Sequence, residues 1–383
     1  MKSILVAGLF ACALVTGAPM AASRAAHAAD LFVSPTGADT NDGGTAARAV
    51  RSLQRALDLA ETGATIHLAP GIYGAAQTKR AGRADAPITI AGTDPSGRFA
   101  TVLRAATVVL QINHSYYHVQ GLTVDGQPSI NRQRFPATLD AARAFKESLG
   151  ADVANSKLIY IGYAPASRDI TGVVLDNLFL HGSGGECVRL RNNAFGNIVE
   201  HSVIEWCGLA PSGDDESRDR FHNGEGVYIG TSPKSTTQPM FANDTSHDNV
   251  VRDSTITTFG SECFQTKENA HHNLMQRVTC RNNDEPLRFG GSNVELRGDH
   301  NTVEDSSLSG SRGVNLKIAT DGPAFDRGGN AIVRTRFGDA AGAHLSIKTS
   351  QTLGLVFGNT FATTRIADSA APKLDPAAPC PVR

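Results

Sequence analysis

Six short stretches of the chain share one alternation of apolar and polar residues: Glu186–Arg191, Glu225–Gly230, Glu262–Lys267, Glu285–Gly290, Arg312–Lys317 and Ala343–Lys348. Their third position is apolar throughout (Val188, Val227, Phe264, Leu287, Val314, Leu345), and so is the fifth (Leu190, Ile229, Phe289, Leu316, Ile347) except at Thr266. A period of two predicts strands that bury one face and turn the other outward. Successive starts lie 39, 37, 23, 27 and 31 residues apart, a spacing that suits one coil of a solenoid built from short strands. A second register runs beside the first, in which Asn197, Asn249, Asn273, Asn301 and Asn330 each precede an alternating run. An Asn there can turn the corner and satisfy backbone groups. The expected fold is all-β, a single-stranded right-handed parallel β-helix with a short N-terminal capping helix.

That helix is read from RSLQRALDLAETG, where Leu53, Ala56, Leu57 and Ala60 fall at helical spacing. It would plug the open end of the solenoid, whose first strand otherwise exposes an edge and apolar core. A polar insertion over about 127–156 places Leu139, Ala142, Phe145 and Leu149 on one helical face, as a side decoration or as a groove wall. Two further enlarged turns, Leu209–Asn223 and Thr231–Asp244, flank the strand of Glu225–Gly230. Long loops beside one strand of a regular coil usually shape a cleft.

Residues 1–29 have the charged start, apolar run and small residues of a signal peptide, so a secreted or periplasmic location is expected. Acylation at Cys12 is the alternative reading of this segment. The β-helix then spans 30–365, and an Ala/Pro-rich tail occupies 366–383. Cys187, Cys207, Cys263, Cys280 and Cys380 remain after cleavage. The 187–207 and 263–280 spacings each fit within one coil, and both bridges and buried thiols are open readings. With 36 basic against 37 acidic residues, bulk charge points to neither nucleic acid nor membrane as a partner. A monomer is expected.

The runs VSPTGADTNDGG, TIHLAPGIYG and APITIAG, followed by GEGVYIGT, SECFQTKEN and LRFGG, resemble secreted right-handed parallel β-helix proteins of the pectate-lyase-like superfamily. In motif they look closest to polysaccharide lyases of the alginate lyase and chondroitinase B type. In those enzymes a Glu precedes the catalytic Lys by five residues, and an Arg in an R-x-G setting follows one coil later. Glu262, Lys267 and Arg288-Phe289-Gly290 match. The resemblance therefore implies Lys267 and Arg288 as the catalytic pair. It also implies calcium as a cofactor, although Gly260 stands where the family carries a second acidic ligand. Independently of it, Glu186, Glu225, Glu262 and Glu285 form a column that would repel unless paired, turned onto backbone donors or bound to metal, and the metal reading takes Glu225 and Glu262 as ligands with Asp214, Asp215 or Asp219 from the long loop.

The outward fourth and sixth positions supply the chemistry such a reaction needs. They hold Arg189, Tyr228, Gln265 and Arg288, then Arg191, Lys267 and Lys317. Cleavage of a uronate polymer by β-elimination requires neutralisation of a carboxylate, a base at the α-carbon and a proton for the leaving oxygen. Lys267 can be the base only if its pKa is depressed, which neighbouring cations such as Arg191 and Arg288 favour and Glu262 or Glu268 nearby would oppose. Arg189, Arg191 and Lys317 would bind carboxylates, and Tyr228 and Gln265 sugar faces and hydroxyls. The expected function is a lyase acting on an acidic polysaccharide. The alternatives are a glycoside hydrolase using two of Glu225, Glu262 and Glu285, or a non-catalytic carbohydrate-binding protein.

Overall fold

The computed structural model describes residues 29–94, 97–130, 139–149, 157–210, 224–235, 239–258, 261–281, 291–349 and 352–367. Its strands form three parallel sheets of eleven, ten and nine strands, each strand bonded to its equivalent one coil earlier and one coil later. One coil runs Val188–Leu190, Ile198–Glu200, Val203–Glu205 and then Val227–Ile229, where the next begins. The Val188 strand belongs to the nine-strand sheet, the Ile198 strand to the eleven-strand sheet and the Val203 strand to the ten-strand sheet. The chain is a right-handed parallel β-helix, as the repeat requires.

Inside, the third and fifth positions stack as columns: Ile159, Val188, Val227, Phe264, Val294, Leu316 and Leu345 are all buried. Thr266 is buried in the next column, and its hydroxyl accepts from the Arg297 N–H at 3.3 Å. The predicted Asn column is a continuous ladder. The side-chain amide of Asn197 donates to Asn249 at 3.0 Å, Asn249 to Asn273 at 3.0 Å, Asn273 to Asn301 at 3.0 Å, and Asn301 to Asn330 at 3.3 Å. Each carbonyl oxygen also accepts from a backbone N–H of the coil before it, so buried polar groups are satisfied without water.

The helix Leu53–Leu59 forms where its spacing predicts, with Leu53, Ala56 and Leu57 buried and the Ser52 hydroxyl capping its N-terminus. It packs on the first strands of the eleven-strand and nine-strand sheets, closing the end of the solenoid. Cys187–Cys207 and Cys263–Cys280 are disulfides with Cα separations of 5.4 and 6.0 Å. Each ties the residue just before a nine-strand-sheet strand to the ten-strand-sheet part of the coil that follows it.

The register corrects two of the six predicted rungs. Phe264 pairs with Val294, so the coil after Glu262–Lys267 is carried by Ser292–Leu296 and not by Glu285–Gly290. Leu316, not Val314, then continues the Phe264 column. The strand Ser292–Leu296 keeps the alternation with Val294 and Leu296 inward, but the earlier match began with Glu and drew the alignment to itself. Residues 1–28, which include most of the signal segment, and 282–290, which include Glu285 and Arg288, lie outside the described residues. Among the described residues no helix is long and apolar enough to cross a membrane.

Candidate active site

The outward face of the nine-strand sheet carries two polar columns. One reads Tyr160, Arg189, Tyr228, Gln265, Glu295 and Lys317 along successive coils. The other follows the inward Leu190, Ile229, Thr266 and Leu296, and so reads Arg191, Gly230, Lys267 and Arg297. Gly230 adopts φ +89°, and a Cβ there would come within 3.3 Å of the Lys267 Cβ. Only glycine leaves the coil above Lys267 clear.

Both columns face away from the core as predicted, yet they are not open surface. Lys267 is 9 % exposed, and Arg189, Arg191, Tyr228, Gln265 and Glu295 are buried as well. Phe241, from the enlarged turn after the Tyr228 strand, covers Arg191 with its ring centroid 4.5 Å from the guanidinium. The Tyr228 ring lies between two cations, with the Arg189 guanidinium at 3.7 Å and the Lys267 ammonium at 4.9 Å. Desolvation strengthens each of these charge contacts.

The acidic groups divide into three environments. Glu186 bonds Arg189 and lies 2.9 Å from the Lys157 ammonium. Burial alone would raise its carboxyl, and those two cations overcome it and hold the pKa at about 2. Glu225 has the opposite fate, pushed up to about 8 by burial and by the charges of Glu186 and Glu262, against the pull of Lys267. Glu262 is also raised, by burial first and by Glu295, while the Ser261 hydroxyl and the Ser292 hydroxyl at 3.1 Å donate to it. Glu295 is held low despite burial because Arg297, Lys317 and Lys267 surround it, with Lys317 at 2.9 Å and the Gln265 amide at 2.6 Å.

Lys267 overturns one expectation. Burial lowers its pKa, but Tyr228, Glu295 and Glu225 more than offset both burial and Arg297, so the net shift is upward. The side chain is an ammonium in the resting protein and not a free base. Sequence reasoning set Glu262 and Glu268 against its cationic neighbours and missed the carboxylate of Glu295, which the displaced rung had hidden. It missed Arg297 for the same reason: Arg297 occupies the Lys267 column one coil on. It is paired with Glu268 at 3.2 Å and with Asp321. Tyr160, whose ring lies 5.1 Å from the Arg191 guanidinium, was also missed.

Glu225 and Glu262 stand on adjacent coils, but among the described residues no third carboxylate, imidazole or thiolate joins them within ligand range. A calcium ion takes six or more oxygens, more than this pair supplies, and Asp214, Asp215 and Asp219 lie outside the described residues. Among the described residues one group of three clusters, Asp176, Glu200 and His201, on the eleven-strand sheet and its turn.

No protein-family model and no curated protein matches this sequence. Solved structures do. An alginate lyase from Paenibacillus sp. str. FPU-7 superimposes with a TM-score of 0.63 over 82 % of this chain and 94 % of its own, at 19 % identity. The fold is pectate-lyase-like. A pectate lyase, Pel9A, gives a TM-score of 0.53 at 13 % identity, covering 89 % of this chain and 78 % of its own. The GH136 lacto-N-biosidase from Eubacterium ramulus gives 0.50 at 12 % identity, covering 86 % and 62 %. At such identities the likeness is one of architecture, and the chemistry must be argued from this chain's own side chains.

Proposed function

We propose that the protein is an exported polysaccharide lyase that cleaves a uronate-containing polymer by β-elimination on the outward face of the nine-strand sheet. The observation that carries this reading is a desolvated surplus of positive charge. Lys157, Arg189, Arg191, Lys267, Arg297 and Lys317 converge on a face where Glu186 and Glu295 are the carboxylates held low, Glu268 and Asp321 pair with Arg297, and Glu225 is held protonated up to about 8. Such a face favours an anionic sugar, and above all the enolate-like dianion formed when the proton beside a uronate carboxylate is removed.

In this reading Lys267 and Arg297 clamp the uronate carboxylate, and Arg189 and Arg191 bind the neighbouring unit. Tyr228 takes the proton from the α-carbon. It does so as a phenolate, whose negative charge lies beside Arg189 and Lys267 before the transfer and is neutralised by it. The electron pair left on the α-carbon forms the new double bond as the 4-O-linked sugar departs, and the Lys267 ammonium donates the proton that oxygen needs. Arg288 keeps its place in the proposal as a further carboxylate ligand. Calcium enters no step. Two disulfides among the described residues support an oxidising compartment, in line with the signal segment.

A hydrolase is the second reading, favoured by Glu225, protonated up to about 8 beside Glu262 on the next coil. The two are told apart by product. Ultraviolet absorbance of an unsaturated uronate, developed on alginate, polygalacturonate or a glycosaminoglycan with and without EDTA, marks the lyase. Reducing ends without that absorbance mark the hydrolase.

A further inference from the structure

The ten-strand sheet presents a different cleft, on a face the proposed lyase chemistry does not use. It encloses about 630 Å³, and its lining includes Phe99, Phe179, Trp206, Asp125, His181 and Glu205. The volume falls in the ordinary range for a small-molecule site. We infer that this cleft is a second carbohydrate-binding site, which holds a saccharide chain along the solenoid axis against a stacked column of Asp125, His181 and Glu205 flanked by Phe179 and Phe99.

The column follows from the register. Asp125, His181 and Glu205 pair across three successive coils, so their side chains repeat at rung spacing, ~4.8 Å. Asp125 is held by Arg104, at 2.8 and 3.0 Å, and by the Gln127 N–H. His181 is 1 % exposed, and its Nε2 lies 3.6 Å from Asp125 without a hydrogen-bond partner among the described residues. A buried ring nitrogen left unbonded on a cleft wall costs free energy until a ligand group meets it. A sugar hydroxyl can serve either tautomer of that imidazole, since it both donates and accepts. Burial also lowers the His181 pKa and raises that of Glu205, which keeps both nearer to neutral.

Beside that column, Phe179 and Phe99 supply what the apolar face of a pyranose needs. Phe99 is 64 % exposed although its ring packs edge-on to Phe179 at 5.3 Å, and Phe179 in turn lies 4.8 Å from the His181 ring. Phe145 and Leu149 of the insertion pack with Ile130, Trp206, Leu209 and Ala210, and Ile130 and Trp206 close one end of the cleft. The described residues of the insertion therefore build a wall here, on the flank. An exposed aromatic plane beside a buried imidazole nitrogen without a hydrogen-bond partner among the described residues matches a ligand with one apolar and one hydroxylated side.

The test uses the full chain carrying Lys267→Met, so that bound sugar is not consumed, titrated with tetrasaccharides of mannuronate, galacturonate, xylose and N-acetylglucosamine. Binding is followed by calorimetry and by the nitrogen resonance of the His181 imidazole. At least one tetrasaccharide should shift that resonance to saturation, and Phe99→Ala should weaken the binding tenfold or more without altering turnover in the Lys267-containing protein. A silent His181 resonance with all four sugars, or an unchanged titration in Phe99→Ala, overturns the inference. The site does not depend on the lyase reading: absence of unsaturated product would leave the titration as predicted.

Discussion

Glu186, Glu225 and Glu262 open three consecutive coils with one residue type, and the protein gives them different charge states because only Glu186 has two cations in contact. The linkage signs are therefore opposite for the first two. The Glu186 pKa is depressed on folding, so its stabilisation is present above its ordinary value near 4.5 and is lost as pH falls toward about 2. The Glu225 pKa is raised, so stability is unaffected by it below about 4.5 and declines as pH rises from there through about 8. The penalty at neutral pH is on the order of 3 kcal/mol. Glu225→Gln should remove most of the decline in melting temperature between about pH 5 and about pH 9; parallel profiles for variant and parent would refute the assignment. The stacked column of glutamates was legible in the chain, and so was the need to relieve its repulsion. Which member would be relieved by Lys157 depended on a neighbour one coil away.

At the scale of the coil, alternation and the Asn register identified the architecture because each strand buries the same two positions and each corner needs the same side-chain amide. The failure at Glu285–Gly290 has a physical origin too. Two runs of the same coil, EPLRFG and SNVELR, both alternate, and only the pairing of Phe264 with Val294 decides between them. Loop length varies freely in a solenoid, so spacing could not arbitrate. The Asn ladder invites a direct test. Asn273→Ala would strip partners from the Asn249 backbone N–H and side chain at 3.1 and 3.0 Å and open the ladder at its middle. We expect a loss of about 2–4 kcal/mol in urea unfolding, with secondary structure retained below the transition. A loss under about 0.5 kcal/mol would mean that water replaces the amide without cost.

For the molecule as a whole, two disulfides staple coils whose strands carry Arg189 and Lys267. The sequence placed both pairs within single coils but could not choose between bridges and buried thiols, since small stacked side chains satisfy either. Each bridge closes a loop of fewer than about twenty-five residues and should contribute about 3 kcal/mol. Reduction should therefore lower the melting temperature clearly and reduce activity before global unfolding, because Cys263 lies four residues before Lys267. An unchanged melting temperature on verified reduction would contradict that role. The burial of the polar face was not legible at all. Alternation reports which side of a strand faces the core, whereas the cover over Arg191 comes from Phe241 in a loop with no repeat.

The central claim is that a desolvated cationic face around Lys267 and Tyr228 eliminates across a uronate linkage. The most direct measurement is the rate of ultraviolet product formation from a panel of acidic polysaccharides, compared between the wild-type chain and Lys267→Met, both shown to be folded. The account predicts product from at least one uronate polymer and a fall of about a hundredfold or more in the variant. Equal rates in the two proteins, or new reducing ends with no unsaturated product, would contradict it.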